Sequence, residues 1–208
     1  MKIFVTGIST DVGKTMASAI ITEALEADYW KPVQAGDLHN SDSFRVVQLI
    51  SNGKSTIHSE AYTLTTAASP HVAAAKDGIQ ISMENIIEPT TSNHLVIEGA
   101  GGVFVPLNDS RCVIDIIKND YKVVVVSRHY LGSINHTMLT LEALKSRNLN
   151  IAGIIFSGDE NEASESFILQ NSNVKFLGRI DNEPYFDKNV IADYADIFRD
   201  SLYEIMEP

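Results

Sequence analysis

The apolar run Ile3-Phe4-Val5 passes, after Thr6, directly into Gly7-Ile8-Ser9-Thr10-Asp11-Val12-Gly13-Lys14-Thr15, and Ala17, Ile20, Ile21 and Ala24 then recur at helical spacing. The change from a continuous apolar run to a 3.6-residue period predicts a buried strand, a glycine-bounded turn and a helix in immediate succession. Such a turn aims successive backbone N–H groups and a helix N-terminus at one point, which makes an anion site. Lys14 is then placed to reach the β- and γ-phosphates of a nucleotide, and the Thr15 hydroxyl to meet Mg²⁺. Five residues, rather than the usual four, separate the two glycines. The plainer alternative is a glycine turn ahead of a helix with no ligand. The strand before it and the helix after it favour the phosphate loop.

The rest of the chain repeats the alternation. Apolar, strand-like runs fall near Tyr29–Val33, Leu95–Ile97, Val123–Val126, Ile151–Phe156 and Val174–Leu177, with helical patterns between them. This predicts βαβ units in a three-layer α/β fold, a mostly parallel central sheet covered by helices on both faces. Ile57–Leu64 reads as an edge strand or a loop, Ser69-Pro70 as a helix start, and Glu88-Pro89 as the stop of a short helix over Met83–Ile87. No repeat or linker divides the 208 residues, so a single domain over 1–208 is expected.

Charge narrows the partners. A formal net charge of -11 argues against a broad basic face for nucleic acid. The single cysteine, Cys112, rules out an internal disulfide and fits a reducing compartment. The apolar N-terminus is short for a secretory signal and no run is long enough to span a membrane, so a cytoplasmic protein is expected.

Three further constellations stand where a parallel sheet places chemistry, at the carboxyl ends of strands. His94–Ile97 leads into Glu98-Gly99-Ala100-Gly101-Gly102, a carboxylate able to hold Mg²⁺ followed by glycines that let backbone approach a transferring phosphate. Without Lys14 upstream this would be an ordinary strand and turn. Lys31, in Trp30-Lys31-Pro32-Val33, and Asp42, in Asn40-Ser41-Asp42, are alone no more than a surface charge and a helix N-cap. Leu131-Gly132-Ser133-Ile134-Asn135-His136 opens a helix whose N-terminus suits a carboxylate, or is a plain helix start.

Taken in order, these motifs resemble those of the dethiobiotin synthetases. The residues that carry the resemblance are Val5-Thr6-Gly7 through Gly13-Lys14-Thr15, Lys31-Pro32-Val33, Asn40-Ser41-Asp42, Ser69-Pro70-His71, Glu98 to Gly102 and Leu131 to His136. The resemblance implies that CO₂ and ATP close a cyclic urea on 7,8-diaminononanoate through a carbamate and its mixed phosphoric anhydride. It implies catalytic roles for Lys14, Lys31 and Thr10, with Thr15, Asp42 and Glu98 arranging Mg²⁺. ATP would contact Asp11, Val12, Gly13, Lys14, Thr15 and Met16, and also Glu98, Gly101 and Ser157. The diamine would meet Thr10, Lys31 and Ala35, and its distal carboxylate the helix start at Gly132, Ser133 and Asn135. In the family that helix start belongs to the neighbouring subunit, so a homodimer is implied.

Three positions depart from the family pattern. Ala35 stands where serine is common, Ser157 where an asparagine reads the purine, and Asp181 where a proline is usual. A looser base site that accepts GTP or CTP beside ATP is the resulting expectation. The competing class is a nucleotide-switch ATPase of the partition or positioning type, which carries a signature lysine five residues before the invariant one. Here that position is Ser9.

Overall fold

The structure, a computed structural model, describes residues 1–206; the last two residues of the expected 1–208 domain lie outside the described part. In chain order the elements are β1 (Lys2–Gly7), α1 (Lys14–Leu25), β2 (Asp28–Trp30), β3 (Val33–Ala35), α2 (Asp42–Leu49), β4 (Ile57–His58), β5 (Tyr62–Leu64) and α3 (Pro70–Asp77). They continue with β6 (Leu95–Gly102), β7 (Tyr121–Arg128), α4 (Ser133–Ser146), β8 (Asn150–Ser157), α5 (Glu162–Ser172), β9 (Phe176–Ile180) and α6 (Lys188–Glu204). Seven strands form one sheet in the order β4-β2-β6-β1-β7-β8-β9, every pairing parallel.

β1 sits at the centre, and the chain's order reverses across it: β2 and β6 lie on one side, β7 to β9 on the other. Right-handed crossovers to opposite sides put the helices on opposite faces. Accordingly α1, α2 and α6 pack on one another, and α4 packs on α5. The buried valines Val123 to Val126 show why the strand reads as unbroken apolar sequence: both of its faces are covered. The crevice above the carboxyl end of β1, at the reversal, is where a ligand belongs.

Several expected elements are redrawn. Tyr29–Val33 is two strands, because Pro32 has no N–H to continue a ladder. Its carbonyl instead accepts from the N–H groups of Ala61 and Tyr62, and β3 turns away to pair with β5 in a separate two-stranded sheet. Ile57–Leu64 is thereby divided between the edge strand β4 and that small sheet. The expected strand at Val174–Leu177 begins later, at Phe176, since Asn173 ends α5 in the left-handed conformation and the chain needs two residues to re-enter the sheet. Met83–Asn85 forms a single 3-10 turn rather than a longer helix.

Candidate active site

Gly13 stands at the start of α1 with φ +96°, and a Cβ there would lie 2.8 Å from the Ser157 hydroxyl oxygen. Backbone and space both demand glycine. No side chain caps the first turn of α1, which leaves its N–H groups for a ligand. Lys14 folds back over the loop, and its Nζ donates to the Ser9 carbonyl at 3.0 Å. Its ammonium is buried, at 7% exposure, and among the described residues no carboxylate lies in ion-pair range of it. Burial pulls its pKa below the ordinary lysine value, with Glu98 opposing. A buried cation with one neutral acceptor is a cost to the fold that an anionic ligand removes.

Opposite the loop lies a compact polar cluster. The Lys31 Nζ is 2.6 Å from Asp42 Oδ2 and 3.2 Å from Glu98 Oε1, with Lys31 3% and Glu98 1% exposed. Burial would lower the Lys31 pKa, but Glu98 and Asp42 more than offset it and the net shift is upward. Asp42 is correspondingly held below the usual carboxylate range: burial raises it, and Lys31 more than reverses that. The Asp42 carboxylate is free for this work because Ser41, not Asp42, is the N-cap of α2, accepting from the Phe44 N–H at 3.2 Å. The Thr15 hydroxyl lies 2.9 Å from Asp42 Oδ1 and 3.0 Å from Glu98 Oε1. One hydroxyl has one proton, so at one of these two contacts oxygen faces oxygen. A hard divalent cation resolves that, and the all-oxygen donor set of Thr15, Asp42 and Glu98 suits Mg²⁺.

Both groups face one cavity of about 960 Å³, large enough for a nucleotide and a second substrate side by side. Its walls include Thr10, Asp11, Gly13, Lys14, Thr15, Met16, Lys31, Ala35, Asp42, Glu98, Gly101 and Ser157 from the sequence expectations. Val12 is buried in the core and does not line it. Gly132, Ser133 and Asn135 lie elsewhere, at the exposed start of α4, with only Ser133 buried. Of the glycines after Glu98, Gly101 reaches the wall while Gly99 serves packing, since a Cβ there would lie 3.1 Å from the Phe4 ring.

Sequence reasoning missed Tyr29, whose hydroxyl donates to Glu98 Oε2 at 2.9 Å inside the core. Burial drives its pKa well above the ordinary value, so it remains a donor. The signal was available: Tyr29 stands two residues before Lys31, on the same side of an extended chain. Gln34, Arg45 and Arg128 also line the cavity. Gln34 Oε1 accepts from the Asp42 N–H at 3.3 Å, and the Arg128 guanidinium donates to the Asp11 carbonyl at 3.3 Å.

Residues 1–190 match the family model described as an AAA domain. Among solved structures, the chain is similar to the septum site-determining protein MinD of Pyrococcus horikoshii, complexed with Mg-ADP, with TM-score 0.59 and 12% identity over 99% of this chain and 94% of that one. A ParA family ATPase from Chlorobium tepidum gives TM-score 0.57 and 11% identity over 93% and 96%. At those identities the likeness is one of fold. Sequence likeness is far stronger to the ATP-dependent dethiobiotin synthetase BioD of Christiangramia forsetii, 55% identical over 97% of this chain and 98% of the relative. The enzyme of the same name from Cytophaga hutchinsonii is 51% identical over 98% and 99%. Identity on that scale, over nearly the full length of both chains, shows that the chain belongs to the dethiobiotin synthetase family.

Proposed function

We propose that this chain is an ATP- and Mg²⁺-dependent dethiobiotin synthetase of biotin biosynthesis, acting on 7,8-diaminononanoate and CO₂. The observation that carries the proposal is the full-length identity to enzymes of that name, and the cavity supplies what the chemistry requires. One amine of the substrate attacks CO₂ and loses a proton, giving a carbamate. A carbamate oxygen takes the γ-phosphoryl group of ATP, with ADP leaving. The second amine then attacks the carbonyl carbon of the mixed anhydride, and inorganic phosphate departs as the cyclic urea forms.

No covalent protein nucleophile enters this sequence, and catalysis rests on placement and charge. Lys14, already buried with no carboxylate partner among the described residues, meets the transferring phosphoryl group. Lys31 is held at its position by Asp42 and Glu98, which fix where the carbamate's charge is balanced, and Thr10 lines the same cavity. Thr15, Asp42 and Glu98 would hold Mg²⁺, which when bound neutralises phosphate charge. The exposed start of α4 supports a site completed by a second copy: Gly132 and Asn135 are exposed and lie outside their own chain's cavity, free to receive the substrate carboxylate of a neighbour in a homodimer. No helix of the described residues is long and apolar enough to cross a membrane, and a cytoplasmic, single-domain enzyme is the location and organisation we propose.

The switch-ATPase alternative draws only on fold. The test is to incubate the protein with 7,8-diaminononanoate, bicarbonate, Mg²⁺ and ATP, following ADP release and the cyclic urea by mass. Diamine-dependent ADP release with matching dethiobiotin is expected. ADP release indifferent to diamine and bicarbonate would overturn the proposal in favour of the switch.

A further inference from the structure

The phosphate loop runs between two unlike ends of the cavity. The Lys31, Asp42 and Glu98 cluster marks the end where the γ-phosphate reacts, so the nucleoside must extend toward the ends of β7, β8 and β9. That end is walled by Arg128, Ser157 and the segment Asp181–Phe186, which has no regular secondary structure. Asp181 and Asn182 are exposed and Glu183 half-buried. Among the described residues, two hydrogen bonds reach residues 181–186 from outside, and both end on one atom. The Asp181 N–H donates to the Tyr194 hydroxyl at 3.0 Å, and that hydroxyl donates to Glu183 Oε1 at 2.7 Å.

Tyr194 is itself fixed by the core. It is 7% exposed on α6 and packs edge-on against Phe198, with ring centroids 6.2 Å apart and planes at 87°. Phe198 in turn presses on β9, where a Cβ at Gly178 would lie 2.5 Å from its ring. α6 packs along α1, whose first turn closes the phosphate loop. A continuous packed route therefore connects the phosphate end of the cavity to the hydroxyl bonded to its far wall. Burial and the Glu183 carboxylate push the Tyr194 phenol up to about 12, so the hydroxyl keeps the proton it donates.

Resting on the assignment of this cavity to ATP, we propose that Tyr194 is a positioning residue for nucleobase selection: its single hydroxyl holds Asp181 and Glu183 at the distance from the phosphate loop that a bound base requires. Tyr194 touches no ligand. It acts through the segment that does.

Tyr194→Phe keeps the ring packing and deletes only the hydroxyl. Steady-state kinetics with ATP, GTP and CTP at saturating diamine should show the KM for ATP raised about five- to tenfold, kcat within about twofold of the parent and the diamine KM unchanged. The kcat/KM ratio of ATP to CTP should shift at least about threefold, because base contacts loosen while phosphate contacts do not. Glu183→Ala breaks the clamp from the segment's side, and adding Tyr194→Phe to it should cost little more. An unmoved ATP KM and unmoved base ratio would overturn the proposal, as would a uniform loss of kcat with every nucleotide or fully multiplicative effects in the double variant. Calorimetric ATP binding to the parent and to Tyr194→Phe judges the clamp separately. If the parent released no ADP in response to diamine, the functional assignment would fail, while equal ATP affinities of parent and variant would sink the clamp alone.

Discussion

The two ends of the cavity are built on different principles. At the reacting end, Thr15, Tyr29, Lys31, Asp42 and Glu98 come from α1, β2, the β2–β3 connection, α2 and β6, and each contacts at least one other. Removing Lys31 there leaves the buried Glu98 carboxylate without its cation, which costs about 3–5 kcal/mol. At the base end, exposed Asp181 and half-buried Glu183 of an irregular segment share one tyrosine hydroxyl as hydrogen-bond partner, with Arg179 3.9 Å from Asp181 and Phe186 packed on the core. The difference matches what each end must do: charge developing in a transition state rewards donors that need no rearrangement, whereas a base must enter and leave.

The severest challenge to this contrast is Lys31→Ala. With the carbamate's charge unbalanced, kcat should fall by about 10²–10³-fold while the ATP KM moves little. Near-normal turnover in a steady-state ADP assay would place the chemistry elsewhere. Next in size is Asn135→Ala, for which the diamine KM should rise about tenfold, as for one lost hydrogen bond to a carboxylate, with the ATP KM unchanged. Mixing Lys31→Ala with Asn135→Ala protein at low diamine should recover up to about a quarter of parental activity if the α4 start serves a neighbour's site, since half of the mixed dimers' sites are then intact. No recovery would return that helix start to its own chain or remove it from catalysis.

A smaller effect is expected at the base end. With Ser157 and Asp181 in place of the family's asparagine and proline, GTP and CTP should support kcat/KM within about tenfold of ATP. Activity with ATP alone would show that the exposed segment selects more tightly than its contacts imply. The least effect concerns the scaffold behind that segment. Glu165 on α5 accepts from Arg179 of β9, at 2.6 Å for one of the two bonds, and lies 2.7 Å from the His129 Nε2. Burial raises its pKa, but Arg179 and His129 more than offset this, so the folded-state value lies below the ordinary one. A depressed carboxylate pKa stabilises the fold fully above the unfolded value, near 4.5, and that contribution is lost as pH falls through the folded value. Urea melts between about pH 6 and 3 should therefore show stability falling with acid, and Glu165→Gln should flatten the slope and cost about 1–3 kcal/mol at neutral pH. An unchanged slope would mean that this brace titrates alike in both states.

The legible parts of the molecule were those set by local pattern. β1, the loop and α1 follow from an apolar run, two glycines and a helical period, and the unbroken apolar runs announced a parallel sheet covered on both faces. Lys31 and Asp42 were weaker: as residues they were a surface charge and an N-cap, and the family's motif order singled them out. Tyr29 and Tyr194 were passed over, because a tyrosine in a strand or an amphipathic helix reads as core; Tyr29 had only its place two residues before Lys31 to mark it, and the partners of the Tyr194 hydroxyl, Asp181 and Glu183, lie on an irregular segment. The splitting of Tyr29–Val33 was written in Pro32, yet its destination, a second sheet with β5, was not.

The sequence by itself thus determined the phosphate loop, the strand–helix alternation and the order of motifs, since each depends on φ preference, glycine placement or side-chain period within a short window. Only the tertiary structure decided that Lys14 is buried with no carboxylate partner among the described residues, that Lys31, Asp42, Glu98 and Thr15 meet, and that one hydroxyl on α6 hydrogen-bonds both Asp181 and Glu183. Those facts depend on the strand order around β1 and on the packing of α6 along α1, which join residues far apart in the chain by burial that no local window contains.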